Sequence, residues 1–230
     1  MVEDSGWSGS EPMLRVAAPL REQVTRALRQ AILTSEFAAG QRLVERELTD
    51  KLGVSRTTIR EAIRELTAEG LVTAVPQKGA IVRVITRDDA ADLYQARSAI
   101  ESLVVRRFTE RASDQQVREL QSALREFRRV TEKKRSIADL LAAKDSLYDV
   151  LVAGAGSTVL ANLLASLHAR VSLLRATSLG QAGRPIKAIE ELETVVAAIA
   201  ARDAMAAEEA CALHIKNASQ TALRGLENVS

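Results

Sequence analysis

The chain has one cysteine, Cys211, so no intramolecular disulfide can form, as expected of a protein that works in a reducing cytoplasm. Set among Glu, Ala and Leu, it reads as a packed thiol. Aromatic residues make up only 3% of the sequence, while Ala, Leu, Arg and Glu abound, a bias toward helix over sheet. There are two histidines, His168 and His214, and no nucleophile elbow. That leaves little material for a catalytic cluster of nucleophile, base and metal donors, so an enzyme is not expected. No apolar run approaches the roughly 18 residues of a membrane span. The N-terminus, polar and acidic with Gly and Ser, lacks the basic start and apolar stretch of a signal peptide. Residues 1–17 read as a flexible tail. Neither sign of charge dominates either: 32 Lys and Arg face 30 Asp and Glu, a net charge of +2. A field that weak does not by itself draw the chain to nucleic acid, so any such case must rest on where particular arginines point.

What is present suffices for two modest domains, with 47% hydrophobic and 27% charged residues across 230 positions. Residues 18–85 carry eleven Lys and Arg against eight acids. From Leu20 a helical period runs through Val24, Leu28 and Ile32 to about Ser35. Phe37 to Gly40 breaks it, and a second helix is expected over Glu45–Leu52. Gly53 then stands where a left-handed stop is needed.

Ser55 is placed to cap a third helix, Arg56 to about Glu69, whose buried stripe is Ile59, Ile63 and Leu66. Arg56 and Arg60 lie four apart on another face, in its leading turns. Two helices joined by a tight Gly turn, with arginines leading the second, fit a recognition helix in a major groove, where Arg can bind guanine in bidentate fashion. The hydroxyls of Ser55, Thr57 and Thr58, beside the helix N-terminus, suit phosphate oxygens. Two β-prone runs, Leu71–Val75 and Ala80–Ile85, flank Pro76-Gln-Lys-Gly79 and read as a hairpin wing with Lys78 at its tip. Set against this is an ordinary solvated face, with Arg56, Arg60 and Arg64 paired to Glu61 and Glu65.

The stretch "LVERELTDKLGVSRTTIREAIRELTAEGL", within a longer match from Leu20 to Val82, resembles the DNA-binding domain of the GntR family. The resemblance implies a winged helix-turn-helix. It also implies base contacts by Arg46, Arg56 and Arg60, phosphate contacts by Ser55, Thr57 and Thr58, and a wing contact at Lys78 and Gly79.

Beyond Ile85 the pattern is almost wholly helical, with starts at Thr86, Ser113, Ser136, Ser157, about Ile186 and Asp203. Gly180, Gly183 and Pro185 mark a loop before the fifth of these helices. Six amphipathic helices with short links predict an antiparallel bundle over residues 86–228, and a mainly α protein overall.

The segments "LYQARSAIES", "LYDVLVAGAGS", "LHARVSLLR" and "VVAAIAARDAMAAEEACALH" are similar to the FCD domain of the FadR subfamily. Many such domains hold a divalent metal through one Asp and three His, and the metal helps bind a carboxylate effector. Here the resemblance sets Lys144 at the Asp position, Tyr148 and Leu192 at two His positions, and His214 at a third. A one-residue slip brings Asp145 and Asp149 in instead but fits the following glycines worse. Leu cannot coordinate and a protonated Lys is no ligand, so no metal or other cofactor is expected. His168 reads as a polar-face residue. Arg97, Tyr148, Arg170, Arg175 and His214 are the candidate wall of a cavity for an anionic small molecule. The competing view makes Arg97 and Glu101 an intrahelical pair and Tyr148 core.

The expectation is a cytoplasmic, dimeric repressor on a pseudo-palindromic DNA operator, modulated by a small carboxylate-type metabolite, with no membrane association. An effector-independent or activating regulator, a helical-bundle enzyme and a protein-interaction adaptor are the alternatives.

Overall fold

The computed structural model describes residues 17–34 and 36–227. The tail expected over residues 1–17 therefore falls outside the described residues, except for Ala17, which opens the first helix. Helix α1 (Ala17–Leu33), α2 (Glu45–Leu52) and α3 (Arg56–Ala68) precede an antiparallel hairpin of β1 (Val72–Val75) and β2 (Gly79–Val82). Six longer helices follow: α4 (Arg87–Arg111), α5 (Asp114–Glu132), α6 (Ile137–Ala155), α7 (Thr158–Leu179), α8 (Arg184–Ala200) and α9 (Ala204–Glu227).

Local chemistry sets most of these boundaries. Gly53 ends α2 at φ 64°, a left-handed conformation that costs a Cβ-bearing residue more. Ser55 then starts α3 by accepting the Thr58 N–H at 3.1 Å. Ser113 with Gln116, and Ser136 with Asp139, form reciprocal capping boxes that open α5 and α6. The start of α8 differs from the expected loop. Arg184 and Pro185 are its first helical residues, because proline's fixed φ and missing N–H suit the first turn of a helix.

In the hairpin Val72 faces Val82 and Val75 faces Gly79. The turn between them places Gln77 at φ 64° and closes with Lys78 N–H donating to Val75 O at 3.1 Å. A bridge from Arg42 to Ile81 ties the segment before α2 to the hairpin's inner strand.

Two hydrophobic cores result. One gathers Val24, Leu28, Ile32, Leu48, Ile59, Leu66 and Val82 beneath the hairpin. The other fills the helical bundle around Phe108, Phe127, Leu147, Leu174 and Ile199. Leu33, at the end of α1, packs against both. Helix α4 is the bundle's axis, in contact with α6, α7 and α9. No described helix is long and apolar enough to cross a membrane.

Candidate functional site

Two constellations carry chemistry. On the N-terminal domain, Arg42, Arg46 and Arg56 share the lining of a concavity of about 380 Å³ that also includes Gly79 of the hairpin. Helix α3 presents Arg56 at its first position because Ile59, Ala62, Ile63 and Leu66 fix the opposite face in the core. The side chains of Arg46 and Arg56 are exposed and make no ion pair among the described residues. Arg60 does: its Nε donates to Glu45 at 2.8 Å, across from α3 to α2.

The solvated-face arrangement therefore holds only for Arg64, which pairs with Glu61 at 2.6 Å. Glu65 turns away to accept the Thr25 hydroxyl of α1. Ser55 and Thr58 hydroxyls lie 2.9 Å apart at the α3 N-terminus, with Thr57 exposed beside them. Lys78 stands exposed at the hairpin tip. Gly79, at φ 80°, would carry a Cβ 3.8 Å from the Arg42 Nε. Arg42 lies in the connection between α1 and α2, where no helical or strand period says which way a side chain points; the strand-like bridge to Ile81 brings it to the wing.

The second constellation lies inside the bundle. Tyr94 and Arg97 from α4, Lys144 from α6, Arg175 and Ser178 from α7, and Arg184 from α8 line one narrow cavity. It admits about 10 Å³ of water-sized contents, room for roughly one water. Arg97 is fully buried and forks onto Glu101, with Nε to Oε1 at 2.5 Å and Nη2 to Oε2 at 3.3 Å. The same Nη2 donates to the Tyr148 hydroxyl at 3.2 Å. The intrahelical pair and the pocket are thus one structure. Burial disfavours the Glu101 carboxylate, but Arg97 and His168 override it and hold its pKa well below the usual range.

Arg175 pairs with Asp145 at 2.6 Å and Arg184 with Glu191 at 2.8 Å. Lys144 Nζ lies 3.0 Å from His214 Nε2, and His214 Nδ1 lies 2.6 Å from Glu191. A carboxylate only accepts, so the imidazole proton sits on Nδ1 and Nε2 accepts from the lysine. Burial pushes the Lys144 amine well below its ordinary range, with Arg97 and Arg175 adding to the effect. Burial and then Lys144 bring His214 down to about 3. Although burial works the other way, bonds from His214 and Arg184 hold Glu191 at about 2.

Three expectations need correction. Arg170 does not join the cavity. Five residues separate it from Arg175, about 140° around a helix of roughly 3.6 residues per turn, so the two cannot share a face. Its side chain is instead against Gly70, where an added Cβ would meet Arg170 Cγ at 3.2 Å. His168 is not a polar-face residue: it bonds Glu101 at 3.0 Å and sets its ring edge on Tyr148. Tyr148 and His214 stand behind the wall as partners of Arg97 and Lys144 rather than on it.

The lining residues Tyr94 and Arg184 were missed. Tyr94 carried an ordinary core signal, and Arg184 sat in what read as a loop.

The donors present do not fit the metal set of the resembled domain. Leu192 is buried without a donor, Tyr148 receives Arg97's bond, and His214's free lone pair faces the lysine. Among the described residues no three His, Cys, Asp or Glu cluster to hold an ion. Cys211 is buried, which pushes its thiol up to about 12.

Comparison with known proteins agrees with both halves. The FCD domain family matches residues 92–217, and the family described as bacterial regulatory proteins, gntR family, matches residues 20–82. The HTH-type transcriptional repressor RspR of Escherichia coli K12 is 28% identical over 211 residues, which cover 92% of each chain. Two solved structures share the fold. A GntR-type transcriptional regulator from Rhodococcus sp. RHA1 has a TM-score of 0.72 at 24% identity, covering 90% of this chain and 98% of its own. The McbR/YncC protein of Escherichia coli has a TM-score of 0.70 at 21% identity, covering 91% and 98%.

Proposed function

We infer that this chain, which belongs to the FCD-domain-containing GntR family of bacterial regulatory proteins and is a transcriptional regulator, acts in the cytoplasm as a homodimeric repressor whose hold on a pseudo-palindromic operator is modulated by a small carboxylate-type effector in the bundle. The observation that carries the DNA half is the cleft between α3 and the hairpin, where Arg46 and Arg56, without an ion pair among the described residues, stand beside Arg42 and Gly79. Such guanidinium groups can read guanine O6 and N7, while Ser55, Thr57 and Thr58 hold phosphate and Lys78 follows the adjacent backbone or minor groove. Arg60 joins them by exchanging Glu45 for a base. One such module reads a short site, and two related by a twofold axis supply the specificity a genome demands.

The effector half rests on the buried cations of the bundle. A ligand there changes operator affinity only by binding one arrangement of the domains more tightly than the other. Helix α7 carries Arg175 into the cavity, Arg170 against Gly70 at the base of the hairpin, and contacts to α1. It thus touches both the cavity and the winged helix domain. With no metal, the acid is held by charge-assisted hydrogen bonds alone.

Selection of binding sites from a random duplex library tests the reading. The expected product is an inverted repeat with half-sites about one helical turn apart. Arg56→Ala is expected to weaken binding to it by about 1–3 kcal/mol. Recovery of no preferred sequence would refute the DNA assignment, and an unrepeated site would refute the dimer.

A further inference from the structure

The cavity wall is unusual in what it leaves unpaired. Arg97 Nη1, Arg175 Nε and Nη2, Arg184 Nη1 and the Tyr94 hydroxyl are all buried without a hydrogen-bond partner among the described residues. Buried polar groups are normally satisfied, and orphaned guanidinium nitrogens are costly to keep. Three arginines contribute to the same void, and every one of them also lines it. The carboxylates that compensate them, Glu101, Asp145 and Glu191, are absent from the lining. The basic groups that line it, from four helices, are all hydrogen-bond donors, and among the described residues no carboxylate faces them across the void.

The second observation is the place of Lys144. A metal-bound histidine characteristically donates its other N–H to a carboxylate, which fixes the ring and points the lone pair at the ion. His214 has that carboxylate in Glu191, itself held by Arg184 and by Asn217 at 2.9 Å. At the end of its Nε2 lone pair stands the Lys144 nitrogen. The orientation a ligating histidine needs is present at His214, and an amine stands where its lone pair points.

We propose that Lys144 replaces the metal ion of the pocket and that, with Arg97, Arg175 and Arg184, it forms a metal-free receptor for a compact dianion, either a phosphate group or paired carboxylates. This rests on the effector reading above and narrows it. A single carboxylate has two oxygens and one charge. It cannot satisfy four converging cationic groups, whereas a phosphate or a short dicarboxylate presents three or four oxygens in a small volume. A dianion also restores an opposite charge beside an amine that burial and two arginines otherwise disfavour. Entry needs this cavity of about 10 Å³ to widen. Arg175 can yield because its partner Asp145 is half exposed and can follow it.

Calorimetric titration of the full chain with inorganic phosphate, malonate and acetate, each with and without EDTA and with added Zn²⁺, tests this directly. Phosphate, malonate or both are expected to bind, unaffected by EDTA, and acetate to bind at least about tenfold more weakly. Lys144→Met is expected to weaken dianion binding by about tenfold or more while keeping the wild-type far-ultraviolet dichroism. If that variant does not fold, Arg175→Gln, which leaves the Lys144–His214 bond untouched, is expected to show the same loss. Binding by phosphate alone or by malonate alone identifies which dianion chemistry the cavity takes. Dianion binding that requires Zn²⁺, acetate binding as tight as malonate, no binding by either dianion, or undiminished affinity in the variants would each overturn the proposal. Dianion binding without any change in operator affinity would leave this receptor standing and remove its regulatory role. Operator release by another ligand that Lys144→Met still binds would do the reverse.

Discussion

Arg60 and Glu45 form an ion pair that joins the recognition helix to the helix before it, with Nε 2.8 Å from the carboxylate. Arg60 is exposed and Glu45 partly so, and such pairs contribute only about 0–1 kcal/mol to stability. The pair matters for aim: it holds one guanidinium beside the cleft that Arg46 and Arg56 line. Glu45→Gln is expected to leave the melting temperature nearly unchanged and to raise affinity for nonspecific duplex, because a negative charge leaves the surface. The ratio of specific to nonspecific binding should fall. Anisotropy titrations against operator and scrambled duplex measure that ratio, and an unchanged value would mean that Glu45 does not orient Arg60.

Inside the bundle the corresponding pair behaves differently. Arg97 and Glu101 are both buried, so removing one partner strands the other's charge. Glu101→Ala is expected to destabilise the protein by about 3–5 kcal/mol in urea unfolding. Replacing both partners, as Arg97→Met with Glu101→Leu, should cost much less than the single change, because no lone charge remains. If the double variant is as unstable as the single one, packing rather than charge sets the cost.

Stability should fall steadily as the solution is acidified. His214 titrates at about 3 in the folded chain, against about 6.5 when unfolded. The unfolded chain therefore binds more protons between those values, and stability is lost as pH drops through that window. Glu191, held at about 2, adds a second loss below about 4.5. Glu101, shifted in the same direction, acts likewise. The unfolding midpoint followed from pH 7 to pH 4 is expected to decline, and His214→Asn should flatten its upper part. A wild-type midpoint independent of pH between 6.5 and 4.5 would contradict the buried neutral imidazole.

Gly154 of α6 is there for space. A Cβ on it would lie 2.4 Å from the ring of Phe108, which is fully buried. Gly154→Ala gains helix propensity and still should destabilise by about 1–3 kcal/mol, the usual cost of overpacking. Thermal unfolding decides the sign: a stabilised variant would mean that α4 and α6 separate more easily than their packing implies.

Several features of this protein were legible in the sequence because their physics is local. Gly53 and Ser55 set the turn and the start of α3 through one backbone conformation and one hydrogen bond. The spacing of Ile59, Ile63 and Leu66 then decided which face Arg56 could occupy. The helix starts at Ser113 and Ser136 and the six-helix count followed from the same short-range rules. Likeness to a family's motifs identified the winged helix-turn-helix without any packing information.

The cavity was another matter. Arg97, Lys144, Arg175 and Arg184 come from four helices, and no periodicity within one helix says which faces of four will meet. Sequence could disqualify Lys144 as a metal ligand, but only packing could put its amine at the end of His214's lone pair. Arg170 failed for the same reason, since its direction around α7 counts only once the helix has been docked. Sequence by itself determined the fold class, most helix boundaries and the face of α3 that carries Arg56, because those depend on neighbours along the chain. Tertiary structure alone decided which charges are buried together, because burial depends on what the other helices bring.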